Sequence, residues 1–137
     1  MNREILFRGK RVDNGEWVYG YFFTQVHFPR LAIEREYYYI KPFGGDSNSW
    51  SHFEVDPATV GQYTGLTDKH GRKIFEGDVM EFDAYGFHYK GVVSFVDGNF
   101  CVMCNRPTAS PFLDAAIKSH DAICIGNIHD NELLEGE

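Results

Sequence analysis

Four groups of residues in this chain have types and spacings that can do chemistry. The first is YTGLTDKHGRKIFEGDVMEF (63–82), where Gly65, Gly71 and Gly77 recur every six residues with Lys69, His70, Arg72 and Lys73 between them. A phosphate-binding loop needs closely grouped backbone N–H donors, usually opening a helix. Here the glycines are spread out, the Walker pattern is missing, and Glu76, Asp78, Glu81 and Asp83 follow. The stretch therefore reads as turn chemistry, and no cofactor is expected. The second group is Cys101-Val-Met-Cys104. A zinc site needs converging thiolates and two further ligands, whereas residues i and i+3 of a strand point to opposite faces. Cys124, His120 and His129 are present, but a second C-x-x-C is not. The cysteines read as small buried side chains, and no metal is expected.

The third group is the six histidines, His27, His52, His70, His88, His120 and His129, which show no H-E-x-x-H or H-x-H spacing. There is no G-x-S-x-G either, so no catalytic residue is assigned and an enzyme is not expected. A cleft joining a histidine to two carboxylates would revive a nuclease or hydrolase reading. The fourth group is basic and aromatic. Arg3, Arg8, Lys10 and Arg11 stand against Glu4 in the first 12 residues, a local charge of +3. On a strand Arg8 and Lys10 share a face, and the partner strand supplies Trp17, Tyr19 and Tyr21. Basic groups beside aromatics hold single-stranded nucleic acid. The alternative is a strand edge guarded by charge, with the aromatics turned into the core. The candidate binding surface is thus Arg8, Lys10, Arg11, Trp17, Tyr19 and Tyr21. What decides it is whether the aromatics face solvent beside the cations.

The elements that must carry these residues are strands. ILFRGKRVDNGEWVYGYFF reads as a hairpin around Asn14-Gly15, a pair suited to a type I′ turn. Trp17, Tyr19, Tyr21 and Phe23 fall on one face, with Val18, Gly20 and Phe22 on the other. Gly20 marks a bulge or a close backbone approach. EYYYIKPF is a third strand stopped by Pro42, GGDSNS (44–49) a polar loop, and WSHFEV a fourth strand. In DPAT, Asp56 caps one helical turn with Pro57 at its first position. Turns follow at Asp68–Gly71 and Glu76–Asp78, and DVMEF and HYKGVVSFV are strands. Asp97-Gly98-Asn99 turns the chain into FCVMC. FLDAAIK is a short helix, with Phe112, Ala115, Ala116 and Ile117 at helical spacing. AICIGNI is a last strand, and Leu133 and Leu134 anchor an acidic tail. The turn spacing is that of a compact all-β barrel.

The chain has 137 residues, 43% hydrophobic and 16% aromatic, enough for a core that favours strands. Residues 1–60 carry 7 basic and 8 acidic side chains, and 61–137 carry 6 and 12, so the halves contribute −1 and −6 to the net charge of −7. That balance disfavours nonspecific nucleic-acid binding, which draws on phosphate neutralisation. Nothing approaches the roughly 20 apolar residues that span a bilayer. The charged N-terminus lacks an apolar signal core, and three cysteines do not suggest a disulfide framework. A cytoplasmic protein without a membrane partner is expected.

Three stretches, REILFRGKRVDNGEWVYGYF, VDPATVGQYTGLTDKHGRKIFEGDVMEF and GVVSFVDGNF…AICIGNIHDNELLEGE, together resemble the YopX family of phage and prophage proteins. The ending IGNIHDNELL differs from the family's usual IGNIYENPELL in carrying His129 and lacking the proline. Residues 28–53 and 105–120 have no family-like wording. The resemblance implies a phage- or prophage-encoded protein, a mainly β fold, and a small SH3-like barrel in the C-terminal part. The expected organisation is an N-terminal β-hairpin and sheet region (1–60), then the barrel with its tail and one short helix (61–137), as two regions or one continuous domain. The resemblance brings no reaction, cofactor or catalytic residue. The favoured function is a non-enzymatic accessory or adaptor protein that binds a host or phage protein through a strand edge or aromatic patch, with homo-oligomers possible. The second reading is a nucleic-acid-binding factor in phage replication or regulation.

Overall fold

A computed structural model of the chain describes residues 4–27, 35–43 and 51–130. Arg3, the loop at 44–49, Trp50, and Leu133 and Leu134 of the tail lie outside the described residues. The fold is mainly β, with two compact units, Met1–Gln62 and Tyr63–Glu137.

In the first unit, β1 (Phe7–Lys10), β2 (Trp17–His27), β3 (Arg35–Pro42) and β4 (Phe53–Glu54) form antiparallel neighbours in the order β4-β3-β2-β1. The other side of β1 pairs with the first residues of β5 (Gly61–Thr67), through Phe7↔Gln62 and Arg8↔Gly61. The fourth strand is shorter than WSHFEV suggested: Phe53 and Glu54 pair with β3, while Val55 donates its N–H to Tyr38 O at 2.9 Å and also bridges to Arg11. Asp56 caps the following 3-10 turn (Pro57–Thr59) as expected, its Oδ1 accepting from Ala58 N at 3.0 Å.

The β1–β2 connection departs from the expected type I′ turn. That turn needs positive φ at both central residues; here Gly15 adopts it (φ 72°) and Asn14 does not. The connection is longer, closed by Arg11 N to Glu16 O at 2.9 Å, and Asn14 spends its side chain accepting from Glu16 N. Paired positive φ in a two-residue loop, as type I′ requires, occurs instead at Tyr85-Gly86 (54° and 82°) and at Asp97-Gly98 (50° and 84°).

In the second unit, the remainder of β5 pairs with β6 (Lys73–Phe75). A four-stranded sheet follows, ordered β10-β7-β8-β9, from β7 (Asp78–Ala84), β8 (Phe87–Val96), β9 (Asn99–Cys104) and β10 (Ile123–Asn127). Among the described residues neither sheet closes, so the SH3-like closure expected of 61–137 is replaced by an open sheet. Closure is unnecessary here for a physical reason. Helix α1 (Leu113–His120) covers one face, and the outer edge of β9 is bridged by Ala109 and Phe112. The buried helix positions are Leu113, Ala116 and, in part, Ile117, whereas Phe112 sits at the N-cap and is exposed. The helical spacing was real, but its apolar stripe begins one residue later than Phe112.

The core of this unit gathers Ile74, Met80, Phe82, Val93, Val102 and Leu113, among others. Its glycine turns are the structural devices expected: Gly71 and Gly77 hold φ of 79° and 89°, a region glycine enters without strain. Gly71 N donates to Asp68 O at 2.9 Å, and the Asp78 carboxylate accepts from Phe75 N at 2.7 Å. Asp68 and Asp78 are therefore acceptors for their own turns, not parts of a phosphate cradle.

Candidate functional site

Antiparallel register decides which side chains meet, because directly opposed residues project to the same face. Arg8 opposes Tyr19 and Lys10 opposes Trp17 across β1–β2. Across β2–β3, Tyr21 opposes Lys41, Phe23 opposes Tyr39 and Gln25 opposes Tyr37. Alternation then places all of these on one face of the sheet. The opposite face carries Gly9, Gly20, Phe22 and Ile40. It is the inward one: Ile40 and Val55 are fully buried, and a Cβ on Gly9 would lie 3.1 Å from Val55 Cβ.

The aromatics beside the cations therefore face outward. Tyr19 is 45% exposed, Tyr21 60% and Phe23 36%, and Lys41 is exposed. The rings support one another. Phe23 and Tyr39 stack at 5.3 Å, Tyr37 follows Tyr39 at 6.4 Å, and Phe43 meets Tyr21 edge-on at 4.2 Å. His52 stands edge-on to Tyr39 at 4.9 Å. At the β1 end the Arg8 guanidinium lies 4.8 Å from the centre of the Trp17 ring and the Lys10 ammonium 5.5 Å. Two cations on one ring hold the indole in place by cation–π attraction.

The six residues expected to form a surface divide. Arg8, Lys10, Trp17, Tyr19 and Tyr21 do come together. Within that group Arg8 is only 5% exposed, so it orients Trp17 from beneath instead of reaching solvent. Arg11 is not brought in. It points away from Lys10 by alternation, lies over Phe53 at 4.1 Å and is held by Asp13, with Nη2–Oδ2 at 2.6 Å. The same hydrogen bond lowers the Asp13 pKa and raises that of Arg11. Tyr37, Tyr39, Lys41, Phe43 and His52 were missed. Alternation within EYYYIKPF separates Tyr37, Tyr39 and Lys41 from Tyr38 and Ile40. Nothing local, however, says that β3 pairs with β2 in the register that joins the two aromatic sets.

Other candidates are weaker. A groove of about 490 Å³ in the first unit is lined by Lys10, Arg11, Glu36, Tyr38, Glu54 and Asp56 among others. Its charges offset one another, and the Tyr38 hydroxyl, its pKa raised by the Glu36 charge, donates to Glu36 Oε2 at 3.3 Å. Among the described residues no three His, Cys, Asp or Glu side chains converge in a set that could hold a metal. Cys101, Cys104 and Cys124 are free and buried. Burial pushes the Cys104 thiol up to about 11 and raises that of Cys124, which keeps both protonated and unreactive near neutrality.

One histidine does meet two carboxylates. His88 Nδ1 is 2.7 Å from Asp83 Oδ1, and Nε2 is 3.3 Å from Glu81 Oε2. The cluster sits on an open strand surface, with His88 and Asp83 side chains 56% and 84% exposed. It lacks the cleft a catalytic reading needs. The Asp83 hydrogen bond raises the His88 pKa, and both carboxylate charges add to it. The small stabilisation from this contact is therefore present in acid and is lost as pH rises through the folded-state value. Proton NMR is expected to give a His88 midpoint above the ordinary value of about 6.5, moving back towards it in Asp83→Asn. An unchanged midpoint in the variant would exclude the pairing.

No helix among the described residues is long and apolar enough to cross a membrane. No curated protein matches the chain. A family model described as YopX protein matches residues 6–135, which takes in both units and the whole aromatic face. The chain belongs to the YopX family.

Proposed function

We propose that this chain is an accessory protein of a phage or prophage, working in the bacterial cytoplasm by binding rather than catalysis. Its target is engaged across the aromatic face of the N-terminal sheet. One observation carries this reading: Tyr19, Tyr21 and Phe23 stand exposed in a row beside Lys41, stacked with the aromatics of β3. Contiguous exposed aromatic surface costs free energy in water and marks interaction sites.

The face is favoured over a strand edge, the other docking mode for a small β protein. Of the strands that end the sheets, β4 is two residues long and β6 three; β10 is bulged between Cys124 and Gly126; the outer edge of β9 is bridged by its own loop. Short, bulged or covered edges are how sheets avoid strand addition.

The test is site-specific photo-crosslinking in bacteria expressing the full chain. A benzophenone amino acid in place of Tyr21 is expected to give covalent adducts of protein or nucleic acid, and the same group in place of Lys118 on α1 is not. Absence of adducts from position 21, or equal yields at both positions, would refute the reading.

A further inference from the structure

We infer that the aromatic face takes single-stranded nucleic acid, an assignment that rests on the face being the binding surface. Charge is the first argument. The chain is acidic overall, yet its charge is segregated. Among the described side chains that the register places on this face from β1, β2 and β3, Arg8, Lys10 and Lys41 are cationic and none is a carboxylate. Glu36, the acidic residue of these three strands, opposes Val26 and belongs to the other face. Glu54 of β4 directly opposes Tyr39 and so adds one carboxylate to this face. Among the described side chains the face thus carries three cations against one carboxylate on a protein of net charge −7, a balance that suits a polyanion and that a neutral apolar partner does not require.

Geometry is the second argument. Alternate residues of a strand recur at about 6.7 Å, so Tyr19, Tyr21 and Phe23 present π-faces about twice as far apart as the roughly 3.4 Å step of stacked bases. Bases must be unstacked to use all three rings, which a single strand allows and a duplex does not. Stacking on aromatics tolerates any base, so little sequence preference is expected.

The electrostatic contribution is bounded. Arg8 is buried against the Trp17 ring, which leaves Lys10 and Lys41, among the described side chains, to meet phosphates. Two phosphates give a slope of roughly −1.4 in log K against log salt for a single strand. Affinity should therefore fall only about sevenfold between 50 and 200 mM salt. Stacking carries the remainder, so loss of one ring should weaken binding by about five- to 140-fold.

The experiment is fluorescence anisotropy with the full chain, using labelled 20-mer oligothymidine, 20-mer oligouridine and a 20-bp duplex at 50 and 200 mM salt. Binding of the single strands in preference to the duplex is expected, with the shallow salt dependence above. Weakening is expected in Tyr21→Ala and Lys41→Ala, and none in Phe95→Ala, whose exposed ring lies on β8. Tyr21 and Lys41 are exposed, so both variants should keep the wild-type circular dichroism spectrum. No single-strand binding at 50 mM salt, equal binding of duplex, or affinity unchanged in Tyr21→Ala would each overturn the assignment. If oligonucleotides fail while position 21 crosslinks to protein, the binding face stands and its partner is a protein. If position 21 crosslinks to nothing, the face itself fails.

Discussion

Gly20→Ala is expected to destabilise the N-terminal unit by at least about 3 kcal/mol, at the upper end of the cost of overpacking. Gly20 sits between Tyr19 and Tyr21 and opposes Pro42. A Cβ there would overlap the backbone carbonyl oxygen of Lys41, and would lie 2.7 Å from the carbonyl carbon and 2.8 Å from Pro42 Cα. These are main-chain atoms, so no rotamer change relieves the clash and the two strands must separate. Gly15 provides the contrast. A Cβ there meets nothing within 4 Å, and the strain comes only from φ of 72°, about 1 kcal/mol in this region. Both tryptophans, Trp17 and Trp50, lie in the first 62 residues, so urea unfolding followed by tryptophan fluorescence reports on this unit. The Gly20→Ala midpoint should fall well below that of Gly15→Ala. Equal midpoints for the two variants would show that β2 and β3 do not approach as described. The same substitution should abolish single-strand binding, because the β2–β3 spacing sets the distance between the aromatic rows.

Asp68→Asn is expected to cost about 1–3 kcal/mol at neutral pH, the penalty for leaving a buried donor without its acceptor. Asp68 is buried, and its carboxylate accepts three backbone N–H bonds: Oδ1 from His70 at 2.9 Å and Arg72 at 3.1 Å, Oδ2 from Cys124 at 3.1 Å. Two of these close the Lys69–Arg72 turn, and the third ties it to β10, 56 residues away. An asparagine has one acceptor oxygen. If it serves the turn, its amide NH2 faces the Cys124 N–H, donor against donor. Burial by itself would raise the carboxyl pKa, and the three donors more than reverse that, leaving it lowered. Its stabilisation is therefore complete above the ordinary aspartate value of about 3.9 and is lost as pH falls through the folded-state value. The stability gap between wild type and Asp68→Asn should be full at pH 7 and shrink below about pH 4. A gap that stays constant through the acid range would mean that the carboxylate charge contributes nothing.

What was legible in the sequence is what short-range chemistry controls. Asp56 caps a turn two residues away, Asp68 and Gly71 close theirs within four, and Asp97-Gly98 adopts paired positive φ because Asp and Gly tolerate it. The period of two that sets Arg8, Lys10, Trp17, Tyr19 and Tyr21 on common faces is equally local. Even local chemistry was overridden where a contact intervened: Asn14-Gly15 opens into a longer connection that pairs Arg11 with Glu16, and Asp13 holds the Arg11 guanidinium away from the face. Tertiary structure decided everything that depends on pairing distant segments. It set β3 beside β2 in the register that joins Tyr37 and Tyr39 to Phe23. It left the sheets open, with α1 covering one of them. It also chose which face of the N-terminal sheet is inward, by packing Ile40 and Val55 against Gly9. Alternation sorts side chains into two sets but is symmetric between them. The sequence determined the aromatic row and its cations; the apolar contacts of Ile40 and Val55 against the other face turned that row towards water.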